Sequence, residues 1–168
     1  ATLFNQLVST YGKSWQNRFF NTYAMGPENF ATVFWPAIPD FTNRLDADFD
    51  IRTEEYFDIS TPENNPERNT VWTGLYRDQQ ADIWMVSVET PIYVEDRHIA
   101  TVGNDIALDE LFTRTMATEG EGYNLIFRDD GRLIADPQYV DQLKETAGEF
   151  IINRDGEDKL KAIYEAEK

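Results

Sequence analysis

Cysteine is absent from the 168 residues, which removes disulfide staples, thiolate nucleophiles and zinc–thiolate sites together. Histidine occurs once, at His98. A metal there would have to draw on carboxylates, and the residue reads as a solvent-facing position at a strand edge. Basic residues are scarce: 15 Lys and Arg stand against 31 Asp and Glu, a formal charge of −16. That balance excludes nucleic acid, whose phosphates need clustered cations, and disfavours anionic lipid surfaces. No apolar run approaches the roughly 18 residues a membrane helix needs, and no signal peptide opens the chain. Any export signal or anchor is therefore expected outside this stretch. Enzyme signatures are missing too: there is no G-x-S-x-G, no P-loop and no H-E-x-x-H. Asp46, Asp48 and Asp50 alternate like a calcium loop, but Ile51 and Phe57 stand where that loop needs glycine and glutamate. With so many acids, accidental carboxylate pairs carry no glycosidase signal. Neither an enzyme activity nor a cofactor is expected.

What is present is a globular composition, 41% hydrophobic and 14% aromatic. Leu3, Leu7 and Tyr11 recur at i, i+4, i+8, which predicts a helix over residues 2–13. Arg18 to Ala24 and Phe30 to Trp35 read as a strand pair around a Met25–Asn29 turn. Residues 36–52 read as loop. Thr53 to Ile59 reads as a helical turn or two with Thr53 as its cap, and residues 60–68 as a surface loop. Next come three runs, Thr70–Tyr76, Trp84–Val94 and His98–Ile106, the last two joined by Glu95-Asp96-Arg97. They predict a twisted antiparallel sheet with one covered face.

Leu108–Met116 places Leu108, Leu111 and Phe112 on one helical face, before a break at Gly120 and Gly122. A strand at Tyr123–Arg128, the turn Asp129-Asp130-Gly131 and a partner strand at Arg132–Ala135 open a second unit. A helix near Pro137–Thr146, a strand at Glu149–Ile152 and a helix from about Asp155 complete it. The fold class is α+β. Two domains are expected, residues 1–119 and 120–168.

Trp72, Tyr76, Tyr56 and Trp84 are large enough to line a concave site and stack on a cation or a planar group. Asp105, just after Gly103, could pair with an ammonium group. From the residues alone two readings stand: this binding site, or Trp72 and Trp84 as sheet core with Asp105 capping the next helix.

Ordered motifs resolve the balance toward binding. Asp50, Arg52, Tyr56 and Phe57; then Trp72, Thr73, Tyr76 and Asp78; then Ser87, Pro91 and Ile92; then Gly103, Asp105, Ile106, Leu108 and Leu111 together resemble the double Cache (dCache) sensor domains. These are PAS-like, extracytoplasmic modules of bacterial membrane receptors. The resemblance covers about residues 18–155. It implies a PAS-like antiparallel sheet flanked by helices, a membrane-distal ligand-binding module and a smaller membrane-proximal module. The family's long N-terminal helix is missing. It implies a periplasmic portion of an inner-membrane protein with an unseen output, most similar to receptors ending in a GGDEF diguanylate cyclase, with a histidine kinase or chemoreceptor as alternatives. A homodimer is compatible with it, and an interaction module without a small-molecule ligand is its rival.

The family's amino-acid-binding branch uses an arginine, an aromatic pair, a later tyrosine and an aspartate. By position, the resemblance carries these to Glu54, to Tyr56 and Phe57, to Tyr76 and to Asp105. The carboxylate anchor is thus replaced by an acid. A site with Glu54 and Asp105 repels carboxylates and prefers a cation. The expected ligand is a small cationic amine held by Asp105 and stacked on Tyr56 or Tyr76, with Trp72 and Phe57 completing the lining.

Overall fold

The computed structural model describes residues 2–116 and 124–167, with the side chains of Thr115 and Met116 left aside. Its elements fall into two compact units, and each is taken by itself. The expected boundary at Gly120, the neighbouring Gly122 and the start of the strand at Tyr123 lie outside the described residues.

The first unit comprises residues 1–73, 78–83 and 87–106. It opens with helix α1, Thr2–Trp15, which carries two apolar stripes at i, i+4 spacing. Phe4, Val8 and Gly12 pack toward strands β1 (Asn21–Gly26) and β2 (Phe30–Phe34). Leu3, Leu7, Tyr11 and Trp15 stay exposed. The stripe visible in the sequence is thus the more exposed one, with Leu7, Tyr11 and Trp15 edging a groove between α1 and the sheet. β1 and β2 form the expected hairpin, with Gly26 opposite Phe30 and Asn29 taking a positive φ in the turn.

Strand β3 is short, Val71–Trp72, and β4 is a separate piece, Tyr76–Asp78. The single run expected over 70–76 is therefore broken at Thr73-Gly74-Leu75. Strands β5 (Ile83–Val94) and β6 (Arg97–Ala107) make a long hairpin whose turn is eased by Glu95 at φ 56°. The sheet runs β2-β1-β6-β5-β3, with β4 also on β5. The β1–β6 register sets Asn21 opposite Asp105, Tyr23 opposite Gly103 and Met25 opposite Thr101. Since alternate residues of a strand point to opposite faces, this face differs from the one α1 covers. It buries Tyr23 and Met25 under Ile51 and Phe57, with Val33, Phe49 and Tyr56 packed around them.

Between β2 and β3 the chain makes two 3-10 turns, Phe41–Asn43 and Ile51–Thr53, then a four-residue helix α2, Glu55–Asp58. The expected Thr53 cap is not made. Asp50 instead accepts the Arg52 backbone N–H, closing the turn before the helix. The 60–68 loop is not wholly at the surface, because Ser60 and Asn65 are buried.

His98 is not at an exposed edge. It is buried between the rings of Phe57 and Tyr93, at 5.8 and 5.3 Å, and its Nε2 meets Thr101 Oγ1 at 3.0 Å. Burial disfavours the charged imidazole and lowers its pKa.

The second unit takes residues 74–77, 84–86 and 107–168. Helix α3 (Leu108–Met116), the hairpin β7–β8 (Ile126–Phe127 and Leu133–Ala135) and helices α4 (Val140–Glu145), α5 (Ile152–Asp155) and α6 (Asp158–Ala166) make it up. Gly131 turns the hairpin at φ 85°, as Asp-Gly suggests. The expected strand at 149–152 reduces to one bridge, Arg132 to Ile151, because the chain turns into α5 at Ile152. The core holds Leu75, Met85, Leu133, Leu143, Ile152 and Leu160. After α4, Gly148 adopts φ 82°, and a Cβ there would collide with the Leu75 carbonyl. Gly148→Ala combines that clash with backbone strain. It is expected to cost on the order of 3 kcal/mol, read as a drop in urea midpoint at unchanged slope.

Candidate functional site

The sheet face away from α1 collects polar side chains that the apolar packing beside them does not require. Asn21 and Tyr23 come from β1, Ser87 and Glu89 from β5, and Gly103 and Asp105 from β6. Asp105 is buried at 4% exposure. Its Oδ1 accepts from Ser87 Oγ at 2.6 Å and lies 3.0 Å from Tyr23 Oη. Its Oδ2 accepts from Asn21 Nδ2 at 2.6 Å. Glu89 has no exposed surface; its Oε1 meets Tyr23 Oη, and its Oε2 has no hydrogen-bond partner among the described residues. Gly103 makes this crowding feasible, since a Cβ there would collide with Glu89 Oε2 and the Tyr23 ring.

Burial and acid–acid proximity set the electrostatics. Desolvation pushes the Asp105 carboxyl up to about 6, against the hydrogen bonds from Ser87, Asn21 and Tyr23, and Asp78 adds to the rise. Glu89 is raised well above the usual carboxylate range by burial, opposed by Tyr23 and reinforced by Asp105. Tyr56 of α2 is raised first by burial and then by Glu54, Asp78, Asp105 and Glu89. Glu54 is raised by desolvation and by Asp78, and Asp78 by its own burial. Four carboxylates, those of Glu54, Asp78, Asp105 and Glu89, act together on the Tyr56 hydroxyl. Such a surface attracts cations and repels carboxylate ligands.

Of the residues expected in a site, Glu54, Tyr56 and Asp105 share this electrostatic neighbourhood. Phe57 is in the hydrophobic cluster, 3% exposed and stacked near His98, so its ring serves packing. Trp72 pairs with Val88 across the β3–β5 ladder, while Val71 pairs with Glu89. Trp72 therefore projects to the face opposite Glu89 and Asp105, and it is 45% exposed; neither the site nor the core holds it. Tyr76 and Trp84 belong to the second unit, with Gly74, Leu75 and Arg77. Asp105 does not cap α3, because its oxygens are engaged by Ser87, Asn21 and Tyr23.

Sequence reasoning missed Tyr23, Asn21 and above all Glu89. The signal was available in β5: an acid two residues after Ser87, in a strand otherwise free of charge, must share the Ser87 face. Among the described residues no group of three or more His, Cys, Asp or Glu is arranged to hold a metal ion. On the opposite face, α1 and the sheet leave an apolar groove of about 260 Å³ lined by Phe4, Leu7, Tyr11, Trp15, Ile92 and Val102.

Comparisons with known proteins bear on the fold. The profile described as methyl-accepting chemotaxis protein-like, first PDC sensor domain, matches residues 7–113. No curated protein sequence matches the chain. The fold is similar to the ligand-binding domain of the Pseudomonas fluorescens chemoreceptor CtaA in complex with L-valine, at 18% identity and a TM-score of 0.68, covering 89% of this chain and 60% of that one. It is similar to that of the Pseudomonas aeruginosa PAO1 chemoreceptor PctB with L-Gln, at 17% identity and TM-score 0.62, covering 90% and 63%. It is also similar to that of Campylobacter jejuni Tlp3 with 4-methylisoleucine, at 16% and 0.57, covering 83% and 50%. The chain spans half to under two thirds of these domains. At such identities the likeness establishes the fold: an α+β, PAS-like antiparallel sheet with flanking helices.

The raised Asp105 carboxyl has a stability consequence. Its folded value of about 6 exceeds the ordinary 3.8, so the folded state holds the proton more tightly. The favourable contribution is full below about 3.8 and is lost as pH rises toward 6. That window corresponds to a loss on the order of 3 kcal/mol for this group alone. Urea unfolding of wild type across pH 4 to 6 is expected to show a declining contribution that Asp105→Asn lacks; equal pH slopes in both proteins would contradict it.

Proposed function

The chain belongs to the methyl-accepting chemotaxis protein-like first PDC sensor-domain family, and from that premise we propose that it senses a small ammonium compound lacking a free carboxylate. The carrying observation is the acidic face: Asp105 and Glu89 around Tyr23, with Glu54 and Asp78 acting on Tyr56. An ammonium group would pair with Asp105 and lie against the Tyr56 ring, gaining from charge and π-face together. A ligand carboxylate would meet Glu54, at the position where the amino-acid-binding branch is expected to carry arginine.

In this reading the parent protein is a chemoreceptor anchored in the inner membrane, with this portion in the periplasm. Residues 1–119 act as the membrane-distal module and 120–168 as the membrane-proximal one. The family match favours the methyl-accepting type of output over the diguanylate cyclase or histidine kinase that the sequence resemblance suggested. No helix among the described residues is long and apolar enough to cross a membrane. Signalling requires a ligand that binds two states unequally and shifts their populations.

A second reading, an ordinary amino acid as ligand, is favoured by the relatives solved with L-valine, L-Gln and 4-methylisoleucine. A thermal-shift panel of primary amines, amino acids and carboxylic acids separates the two. An amine at 100 times its Kd is expected to add about 2.7 kcal/mol, with no response to carboxylic acids. Asp105→Ala is expected to abolish the shift. A response to amino acids alone would establish the second reading.

The exposed stripe Leu3, Leu7, Tyr11 and Trp15 on α1 supports a homodimer joined through that helix. Sedimentation velocity is expected to give a dimer for wild type and a monomer for the Leu7→Glu, Tyr11→Glu double variant. A monomeric wild type at high concentration would remove the dimer from the account.

A further inference from the structure

The tyrosine hydroxyl between Glu89 and Asp105 raises a question of proton number. Tyr23 Oη has a single hydrogen, yet it lies within hydrogen-bonding reach of Glu89 Oε1 and Asp105 Oδ1. If both carboxyls were ionised, one of them would face only oxygen lone pairs, and two negative charges would share a buried hydroxyl. One added proton removes the conflict: a neutral carboxyl donates to Tyr23, and Tyr23 donates to the other carboxylate.

The neighbours decide where that proton sits. Asp105 accepts from Ser87 and Asn21 as well as Tyr23, a set of donors suited to an anion. Among the described residues Glu89 has Tyr23 alone, and its fully buried Oε2 has no hydrogen-bond partner. An ionised oxygen buried without a donor is costly, whereas a neutral carboxyl costs far less. The titratable groups around the pair are Tyr23 on β1, Asp78 at the end of β4 and Tyr56 of α2, on which Glu54 also acts. Neither Glu89 nor Asp105 forms an ion pair with a Lys or Arg among the described residues.

We propose that Glu89 is a second acidic residue of this ligand site, holding in the free protein a proton that a bound ammonium group expels to solvent. The proposal rests on the amine reading above. A cation placed at Asp105 favours ionisation of the neighbouring Glu89, so the proton passes to buffer and the ligand meets two carboxylates. Affinity then rises with pH, approaching tenfold per unit while Glu89 remains protonated in the free protein. Raised carboxyl values at both residues accord with this.

Two measurements test it. Carbon-detected NMR of glutamate-labelled protein at pH 7 reads the Glu89 carboxyl in the ligand-free state, assigned by its loss in Glu89→Gln. Calorimetry with isobutylamine in two buffers of unlike ionisation enthalpy counts the protons released. The expected results are a neutral Glu89, release of about one proton per isobutylamine, and no release with at least about tenfold weaker binding in Glu89→Gln. Gln keeps the neutral shape, so a purely structural role for Glu89 would leave Glu89→Gln binding like wild type. An ionised Glu89 in the free protein overturns the proposal whatever the ligand. A neutral Glu89 with isobutylamine bound and no proton released overturns the coupling and leaves the amine reading standing. A neutral Glu89 with no isobutylamine binding counts against the amine reading, and the proposal falls with it.

Discussion

One tyrosine hydroxyl held between two buried carboxyls is the constraint around which the first unit is arranged. Tyr23 reaches Glu89 and Asp105 only because β6 lies between β1 and β5 and because the register sets Tyr23 opposite Gly103. A slip of one residue would send Tyr23 to the α1 face and leave two acids without their shared donor. The opposition of Asn21 and Asp105 belongs to the same register, and Asn21 supplies a hydrogen bond to that carboxylate. Met25, Ile51 and Phe57 pack beside this polar group. Their burial stabilises the sheet by the ordinary hydrophobic gain and offsets the unfavourable removal of two carboxyls from water.

The two faces of the sheet therefore carry different tasks. On one, α1 packs through Phe4, Val8 and Gly12 and leaves a second apolar stripe exposed along a groove against the sheet. On the other, acids converge around two tyrosines. A sensor needs a ligand-dependent group linked to rigid elements, and strands β1, β5 and β6 each contribute a side chain to the acidic face. A charge introduced there acts on three strands at once. A ligand bound there would bias a sensor domain of this kind between two states only if it binds them unequally.

Much of the fold could be read from residue order, because its signals are local. The 3.6-residue period of α1, the two hairpins and the Asp130-Gly131 turn depend on neighbours in sequence. The failures are long-range. Leu3, Leu7 and Tyr11 marked a helix but not which of its two stripes faces the sheet. The aromatic character of Trp72 suggests a pocket wall, yet the pairing of Val71 with Glu89 turns it to the face opposite Glu89. His98, a lone imidazole, suggested an exposed edge, whereas Phe57 and Tyr93 enclose it from distant parts of the chain. Asp105 and Glu54 stand at positions that the family pattern marks in the sequence. Glu89 has no motif of its own; only strand alternation combined with the partner strands' register identifies it.

The proposed site takes an ammonium group and rejects a carboxylate. Isothermal titration of the protein with isobutylamine and with L-valine separates the two groups, since the compounds differ only by the carboxylate. Saturable binding of isobutylamine and none of L-valine is expected under the same conditions. Binding of L-valine with no binding of isobutylamine would contradict it.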